Sequence, residues 1–315
     1  MNKQHLTGHA TMLVASIMWG LAAPIGKVVM NNGMNGLQLV SLRIGGAAAC
    51  FWMASLFVKK EKVPARDLLR LCLAGLLAIG INQTLFTVGL NLTSPINATI
   101  ISTMMPIATM LLAFVFLREP ITWKKVLGIA LGATGAVTIV LASAGATGAE
   151  EGNAVGDLII LTAQFCFACY LTAFKSVIHR YSGVTCMKWM FLFSLIFVVP
   201  FTATSFRSFE WSGHDAAFWG GTAYVVLGAT FITYLLLMKA QHELRPTVVS
   251  IYNYVQPIVA CLVSVATGLA LFGWSEALSV VLVFSGVWLV TQSKSRRDQL
   301  AQEAQKKMGN SHKQI

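Results

Sequence analysis

Long apolar stretches joined by short polar connections make up nearly the whole chain. A helix needs about 20 mostly apolar residues to cross a bilayer core that is roughly 30 Å thick. The chain contains ten such stretches, at residues 9–30, 36–58, 68–90, 95–117, 123–143, 155–178, 184–204, 215–238, 246–270 and 273–292. The pattern therefore predicts an all-α integral membrane protein with ten transmembrane helices.

The composition of the 315 residues agrees with this pattern. Hydrophobic residues make up 56% of the chain, charged residues only 11%, and the mean hydropathy is +0.69. A soluble domain usually carries about 25% charged residues, so an ordinary soluble enzyme is excluded. The first apolar stretch is as long as a full span and does not end in a small-residue cleavage site, which predicts an uncleaved first helix.

The basic residues are distributed unevenly between the two sides of the predicted bundle. Lys and Arg number 23 against 12 Asp and Glu, a formal net charge of +11. Assigning alternate connections to alternate sides places 19 of the 23 basic residues on one side. Lys27, Lys188 and Arg207 fall on the other side, and Arg43 lies within the second stretch. Cytoplasmic loops collect Lys and Arg, so both termini are predicted to be cytoplasmic. The net charge is then an orientation signal, and no nucleic-acid partner is expected.

The second half of the chain repeats the first. Pro and Trp each occur only eight times in the chain, so two Pro matches and one Trp match at a single offset are unlikely to arise by chance. The matches are Gly8/Gly156, Trp19/Phe167 and Lys27/Lys175 at an offset of 148, then Pro95/Pro246, Pro106/Pro257, Trp123/Trp274 and Gly135/Gly286 at 151. Each unit holds five helices, an odd number, so the second must be inverted in the membrane.

The predicted organisation is therefore two inverted five-helix repeats. Residues 1–146 form the first repeat with helices 1–5, and residues 155–292 form the second with helices 6–10. Residues 293–315 form a basic cytoplasmic tail. Inverted repeats of this kind build transporters, in which a central site opens to the two sides in turn. The alternative is a duplication that only builds a packed bundle.

Several sequence runs resemble a known family. They are residues 19–24 with Lys27, residues 105–107, residues 116–122, and in the second repeat Gly156-Asp157-Leu158, Gln256-Pro257, Trp274 and Gly286. The arrangement is similar to that of the ten-helix EamA permeases of the drug/metabolite transporter superfamily. The second repeat departs from the family pattern at Phe167, where Trp is usual, and at Leu269-Ala270, where an acidic motif is expected. The resemblance implies transport of small metabolites, often amino acids, across the bacterial cytoplasmic (inner) membrane.

Polar side chains inside the predicted spans are candidates for a substrate pathway. Such groups are costly in hydrocarbon and usually face the bundle interior or a water-filled cavity. The candidates are Arg43, Asn82, Gln83, Gln164, Tyr170, Tyr234, Tyr252, Asn253 and Gln256. Amides and phenols suit a small amphipathic molecule. The alternative is that some of them only bridge helices.

Arg43 is the sharpest of these candidates. A guanidinium within a span needs a partner or a hydrated cavity, and its own helix offers no carboxylate. It is predicted either to meet a substrate carboxylate or to snorkel toward the outer headgroups. Lys27 and Lys175 occupy matched ends of helices 1 and 6, as entrance charges or as snorkelling side chains.

Prolines and glycines within the predicted spans indicate where helices bend and where they pack closely. Pro24, Pro106 and Pro257 are predicted to kink their helices, as hinges or as static elements. Gly128, Gly132 and Gly135 predict a face where two helices pack closely. Glu119, next to Arg118, is predicted to form a local ion pair or a helix cap.

These features predict a multi-pass secondary transporter that exports small organic metabolites, such as amino acids or related compounds, by alternating access. Its expected partners are the small-molecule substrate and the lipid bilayer, and a homodimer stays open as an alternative. Neither a cofactor nor a metal site is predicted. A membrane receptor or scaffold without transport is the second hypothesis. An intramembrane enzyme is third, because acid–base groups are scarce in the spans.

Overall fold

The computed structural model describes residues 3–92, 98, 101–147, 154–266 and 274–293. All regular structure within these residues is helical. The unbroken helices are α1 (Lys3–Asn31), α2 (Gly36–Ala54), α4 (Met105–Leu117), α5 (Trp123–Thr147), α6 (Ala154–Ala173), α7 (Gly183–Thr202) and α10 (Trp274–Thr291). A short helix at Lys175–Ile178 follows α6, and a 3₁₀ turn at Ala203–Ser208 follows α7.

Three further helices contain an irregular segment. Helix α3 (65–92) has a π-helical stretch, Leu76–Ile81, between Ala65–Gly75 and Asn82–Leu92. Helix α8 (216–243) has one at Tyr224–Ile232, between Ala216–Ala223 and Thr233–Glu243. Helix α9 (246–266) has a 3₁₀ turn, Tyr252–Tyr254, between Pro246–Ile251 and Val255–Ala266. In a π-helix the hydrogen bonds reach one residue further, which leaves nearby carbonyls free for other donors.

The helices make this a multi-pass membrane protein. Among the described residues, six helices are long and apolar enough to cross a membrane: α1, α2, α3, α6, α7 and α8. Helices α4 and α10 are apolar but shorter. The predicted span 95–117 begins, and the span 246–270 ends, outside the described residues. The predicted tail also lies outside them, apart from Ser293.

The helices pack in matching pairs. Helix α1 lies against α8 and α9, and α6 lies against α3 and α4 in the same way. Helix α2 packs on α7, where the rings of Phe51 and Phe191 stack at 5.2 Å between centres. Helix α5 packs on α10, where a Cβ on Gly128 would come within 2.8 Å of the Gly286 carbonyl oxygen. Gly135 faces Ser279 of α10, and Gly132 faces the ring of Tyr254.

The prolines differ in their settings. Pro24 lies inside α1, which continues past it. Pro106 lies in the first turn of α4 and not inside a helix, so the predicted kink at this position is wrong. A first-turn proline removes no helical hydrogen bond, because the first amides of a helix have no partner within it. Pro257 is the third residue after the 3₁₀ turn of α9 and lies in the first turn of Val255–Ala266. The two prolines therefore mark places where a helix restarts.

Two connections are joined at one end of the bundle. Asp67, at the start of α3, accepts hydrogen bonds from Arg180 at 3.1 Å and from Tyr181 at 2.8 Å. Glu61, in the α2–α3 connection, accepts from the backbone and the hydroxyl of Ser182 at 3.0 and 2.9 Å. Ser182 is the N-cap of α7. We call these contacts the loop clasp; they hold the α2–α3 and α6–α7 connections together.

Lys188 lies at the same end as the loop clasp. Its Nζ is 5.3 Å from the centre of the Trp52 ring, and its charge acts on Glu61. The assignment of Lys188 to the opposite side was therefore wrong. Helix α7 begins at Gly183, so residue 188 is still in its second turn and close to the connection that precedes it.

The loop clasp is expected to weaken in acid. Desolvation raises the pKa of Glu61, but hydrogen bonds from Thr185 and Ser182 outweigh it, and the pKa lies below the ordinary value of 4.5. A lowered folded-state pKa stabilises the protein at pH values above the unfolded-state pKa, and that stabilisation is lost as the pH falls through the folded-state pKa. Glu61→Gln should therefore lower Tm at pH 7. The difference in Tm between this variant and wild type should become smaller as the pH falls below 4.5.

Thermal unfolding of both proteins in detergent between pH 7 and pH 4 tests this expectation. Glu210→Gln is the matched control, because Glu210 is an exposed carboxylate outside the clasp. A difference between wild type and Glu61→Gln that is as large at pH 4 as at pH 7 would contradict the role of the Glu61 charge.

Candidate functional site

A cavity of about 170 Å³ lies among α1, α2, α3, α4, α6, α8 and α9. It runs from Gln83 and Tyr234 toward Met30, Leu39 and Leu90, at the end of the bundle opposite the loop clasp. Seven of the nine residues predicted for the substrate pathway line it: Arg43, Asn82, Gln83, Gln164, Tyr234, Asn253 and Gln256. Helices distant in sequence thus bring these polar groups to one place.

Two of the predicted pathway residues lie elsewhere. Tyr170 is fully buried beside α8, where its hydroxyl accepts a hydrogen bond from Gln241 at 3.1 Å. The hydroxyl of Tyr252 is 2.8 Å from Nδ1 of His9, near the start of α1. Both tyrosines join helices, so they fit the alternative that some buried polar groups only bridge helices.

Within the described part of the chain, Arg43 is the only charged residue that lines the cavity. Its Nε donates to Oγ1 of Thr230 at 3.0 Å. Thr230 lies in the π-helical stretch of α8, and its hydroxyl donates to the carbonyl of Val225 at 2.8 Å. None of the ion pairs between described residues includes Arg43. The half-buried guanidinium is therefore held at Nε, while its positive charge has no carboxylate partner in the described part of the chain.

Gln83 and Tyr234 form the innermost polar pair of the cavity wall. Nε2 of Gln83 is 3.0 Å from the Tyr234 hydroxyl, which is 3.3 Å from the carbonyl oxygen of Ala78. Ala78 lies in the π-helical stretch of α3. Since a tyrosine hydroxyl has one proton, it donates to Ala78 and accepts from Gln83. In this order the Gln83 amide presents its nitrogen to the phenol.

The remaining amides form a connected network. Asn253 Nδ2 donates to the Ser102 carbonyl at 2.9 Å, and Gln256 Nε2 donates to Asn253 Oδ1 at 2.6 Å. Gln164 Nε2 donates to the Ser102 hydroxyl at 3.2 Å. Asn82 Nδ2 donates to the carbonyl of Ala163 at 2.7 Å. The network ties the residues before α4 to α6 and α9, and it positions several amides on the cavity wall.

Aromatic residues that the pathway prediction omitted complete the wall. Trp19 meets Phe167 and Tyr234 edge to face, with ring centres 6.2 and 5.9 Å apart. Its Nε1 donates to the carbonyl of Ala229, in the π-helical stretch of α8, at 3.1 Å. Phe86 also lines the cavity. The Trp19/Phe167 match between the repeats was a signal in the sequence, but it did not show that these rings face a cavity.

Glu119 lies in a separate buried cluster, next to α9. Its Oε2 is 2.8 Å from Nζ of Lys125 and accepts from Thr247 at 3.2 Å. Lys125 also donates to the Pro120 carbonyl at 3.1 Å. Only 1% of the Lys125 side chain and 5% of the Glu119 side chain are exposed. Of the two predicted roles, Glu119 thus forms the ion pair, and its partner is Lys125 rather than the adjacent Arg118. Lys175 lies close enough to interact electrostatically with Glu119.

Comparison with known proteins identifies the class of this fold and site. The sequence profile of the EamA-like transporter family matches residues 6–141 and 154–292. The chain belongs to the EamA-like transporter family, as the resemblance of its sequence runs predicted. Proteins of this family are transporters, so this is a membrane transporter.

Individual relatives agree with this assignment. An uncharacterized transporter of Bacillus subtilis, YyaM, is 23% identical over 90% of this chain and 93% of its own length. A probable terminal-alkyne amino-acid exporter of Streptantibioticus cattleyicolor is 24% identical over 87% of this chain and 92% of its own length. One crystal structure superposes with a TM-score of 0.72 at 17% identity, covering 92% of this chain and 98% of that chain. At that identity the superposition shows a shared fold alone.

Proposed function

We propose that this protein is a secondary transporter that exports small organic metabolites, such as amino acids or related compounds, by alternating access. The observation that carries the proposal is the polar and aromatic cavity around Arg43, set between the two halves of the chain. A few placed polar groups in an otherwise apolar pocket are typical of sites for small molecules. The exporter similar to this chain handles an amino acid, which favours substrates with a carboxylate.

Contacts between matching residues support two inverted five-helix repeats, 1–146 and 155–292. Gln83 contacts Tyr234, the Ser102 carbonyl contacts Asn253, and the Thr103 carbonyl contacts Tyr254, each across 151 residues. Trp19 contacts Phe167 across 148 residues. These separations are the offsets of the sequence repeat. Two copies related by a two-fold axis touch at equivalent residues only near that axis, which favours an axis through the cavity.

The π-helical stretches and the packing fit the same symmetry. The two π-helical stretches lie in α3 and α8, the third helix of each proposed repeat. Helix α1 packs on α8 and α9 as α6 packs on α3 and α4, and both α2–α7 and α5–α10 pair a helix with its equivalent. Broken helices near the centre of the membrane are a feature of transporters built from inverted repeats.

The uneven closure of the two ends favours alternating access. The cavity extends to the end formed by Met30, Leu39 and Leu90, whereas the loop clasp joins two connections at the other end. A transporter of this kind needs a second state in which the clasp opens and the cavity closes. The clasp end also carries most of the basic residues, so we place it and both termini in the cytoplasm of a bacterial cell.

Flux into or out of liposomes tests the proposed function. Purified protein is reconstituted into liposomes loaded with labelled amino acids and, separately, nucleotides, and efflux is compared with that from protein-free liposomes. We expect protein-dependent efflux of a subset of the carboxylate-bearing compounds. Binding without efflux across the whole panel would overturn the proposal and favour a receptor or scaffold.

A further inference from the structure

Gln83, which lines the cavity, carries a buried amide oxygen without a hydrogen-bond partner. Among the described residues, five buried side-chain atoms have no hydrogen-bond partner: Ser16 Oγ, Gln83 Oε1, Thr84 Oγ1, His242 Nε2 and Arg245 Nη1. Of these five residues, only Gln83 lines the cavity. A buried acceptor without a donor is costly, so such an atom in a folded protein calls for an explanation.

The unpaired atom is an acceptor in the arrangement that bonds both neighbours of Tyr234. Gln83 is 4% exposed, and Nε2 is the end of its amide that faces Tyr234. With the amide turned over, the Tyr234 hydroxyl would have to donate its one proton to Gln83, and the Ala78 carbonyl would lose that donor. With Nε2 facing Tyr234, Oε1 can be satisfied only by a group that carries N–H or O–H.

Arg43 supplies the opposite polarity in the same cavity. It lines the same cavity as Gln83 and as Tyr234, the residue to which Gln83 is bound. A planar guanidinium binds carboxylates well, because its N–H groups match the two carboxylate oxygens. The cavity thus has a donor group at Arg43 and an acceptor at Gln83.

We propose that Gln83 Oε1 is a specificity-determining acceptor, which selects organic anions that also carry an N–H donor, such as the ammonium group of an α-amino acid. This assignment rests on the proposed function and adds a second recognition group to the site. A site built to bond an N–H group discriminates against an analogue that lacks it, because the acceptor is then left unpaired. A hydrogen bond to a charged group contributes about 1.5–3 kcal/mol, which corresponds to a preference on the order of tenfold to a hundredfold.

Matched ligands test the assignment. For alanine, valine and phenylalanine, the amino acid is compared with its N,N,N-trimethyl analogue, which keeps the positive charge but has no N–H. Affinity is measured by titration calorimetry on the purified wild-type protein, and efflux is measured from liposomes. We expect wild type to prefer at least one amino acid over its trimethyl analogue by tenfold or more. Equal affinity within every pair that binds would overturn the assignment of Gln83.

Variants separate hydrogen bonding from size, because the trimethyl group is also larger. Gln83→Leu should reduce the preference to less than threefold, whereas Gln83→Glu, which keeps an acceptor oxygen, should retain it. Gln241→Leu is the matched control: it removes a buried glutamine that donates to a tyrosine hydroxyl outside the cavity lining, so the preference should stay at its wild-type value. A preference in Gln83→Leu as large as in wild type would overturn the assignment, because size alone would then explain it.

The same measurements distinguish this assignment from the proposed function. Efflux of amino acids by wild type without any preference within the pairs overturns the role of Gln83 and leaves the transporter proposal standing. Absence of both binding and efflux for every compound overturns the proposed substrate class and the Gln83 assignment with it. If Gln83→Leu does not fold, the wild-type comparison and Gln83→Glu still decide the question.

Discussion

Replacing Arg43 by Gln should reduce the transport efficiency for carboxylate-bearing substrates by about 100-fold. Among the described residues that line the cavity, Arg43 alone is charged, and charge-assisted hydrogen bonds to a carboxylate contribute roughly 1.5–3 kcal/mol. The transport efficiency of Arg43→Lys should lie between those of wild type and Arg43→Gln. This variant keeps the charge but loses the paired N–H groups and the bond from Nε to Thr230. The measurement is kcat/KM for efflux from liposomes.

The controls separate binding of substrate from general effects of charge. Arg207→Gln removes an exposed positive charge after α7, outside the cavity lining, and should leave efflux unchanged. Arg43→Gln should not lower Tm appreciably, because a half-buried guanidinium without a carboxylate partner contributes little net stability. Unchanged kinetics in Arg43→Gln would show that Arg43 does not bind the substrate.

Removing Glu119 should destabilise the protein more than most single substitutions. In Glu119→Gln, Lys125 keeps its charge in a buried position without a carboxylate, and breaking a buried pair in this way costs about 3–5 kcal/mol. Thr247 and the Pro120 carbonyl remain as partners within the cluster, but neither supplies a negative charge. The expected result is a clear drop in Tm in detergent and a lower yield of folded protein.

A double-mutant cycle tests whether the charge pair is the cause. Glu119→Gln combined with Lys125→Met removes both charges, so it should recover most of the lost stability. Lys124→Met is the matched control, since Lys124 is the exposed neighbour of Lys125 and should change Tm little. Additive losses in the double variant would show that the two side chains act independently.

The broad architecture could be predicted because it depends on local properties of the sequence. A run of apolar residues long enough to span a bilayer is visible without any knowledge of its neighbours, and α1, α2, α6 and α7 begin or end close to the predicted positions. The position of Pro106 within its helix was not predicted correctly. Its stretch appeared continuous, but the helix starts at Met105, directly before the proline. The sequence alone does not tell a proline that kinks a helix from one that starts it.

The site was less predictable than the helices because it depends on rotation and partner choice. Tyr170 and Tyr252 had the same chemical character as Tyr234, yet they face Gln241 and His9. Thr230 gave no signal, since its role depends on the π-helical geometry of α8. Glu119 was adjacent to Arg118, but its partner is six residues away in the sequence, at the start of α5. Composition identifies candidates, whereas tertiary packing selects among them.

The π-helical stretches connect the hydrogen bonding of the site to the length of the chain. A π-helical segment holds one residue more than an α-helix of the same rise, so it takes up the extra residue without turning the helix that follows. Deleting one residue between Leu76 and Ile81 would let α3 become regular, while Asn82 and Gln83 would still face the cavity. The deletion would remove the π-helical geometry around Ala78, whose carbonyl oxygen accepts from Tyr234. A single-codon deletion should thus rearrange the Gln83–Tyr234 pair without removing any residue that lines the site.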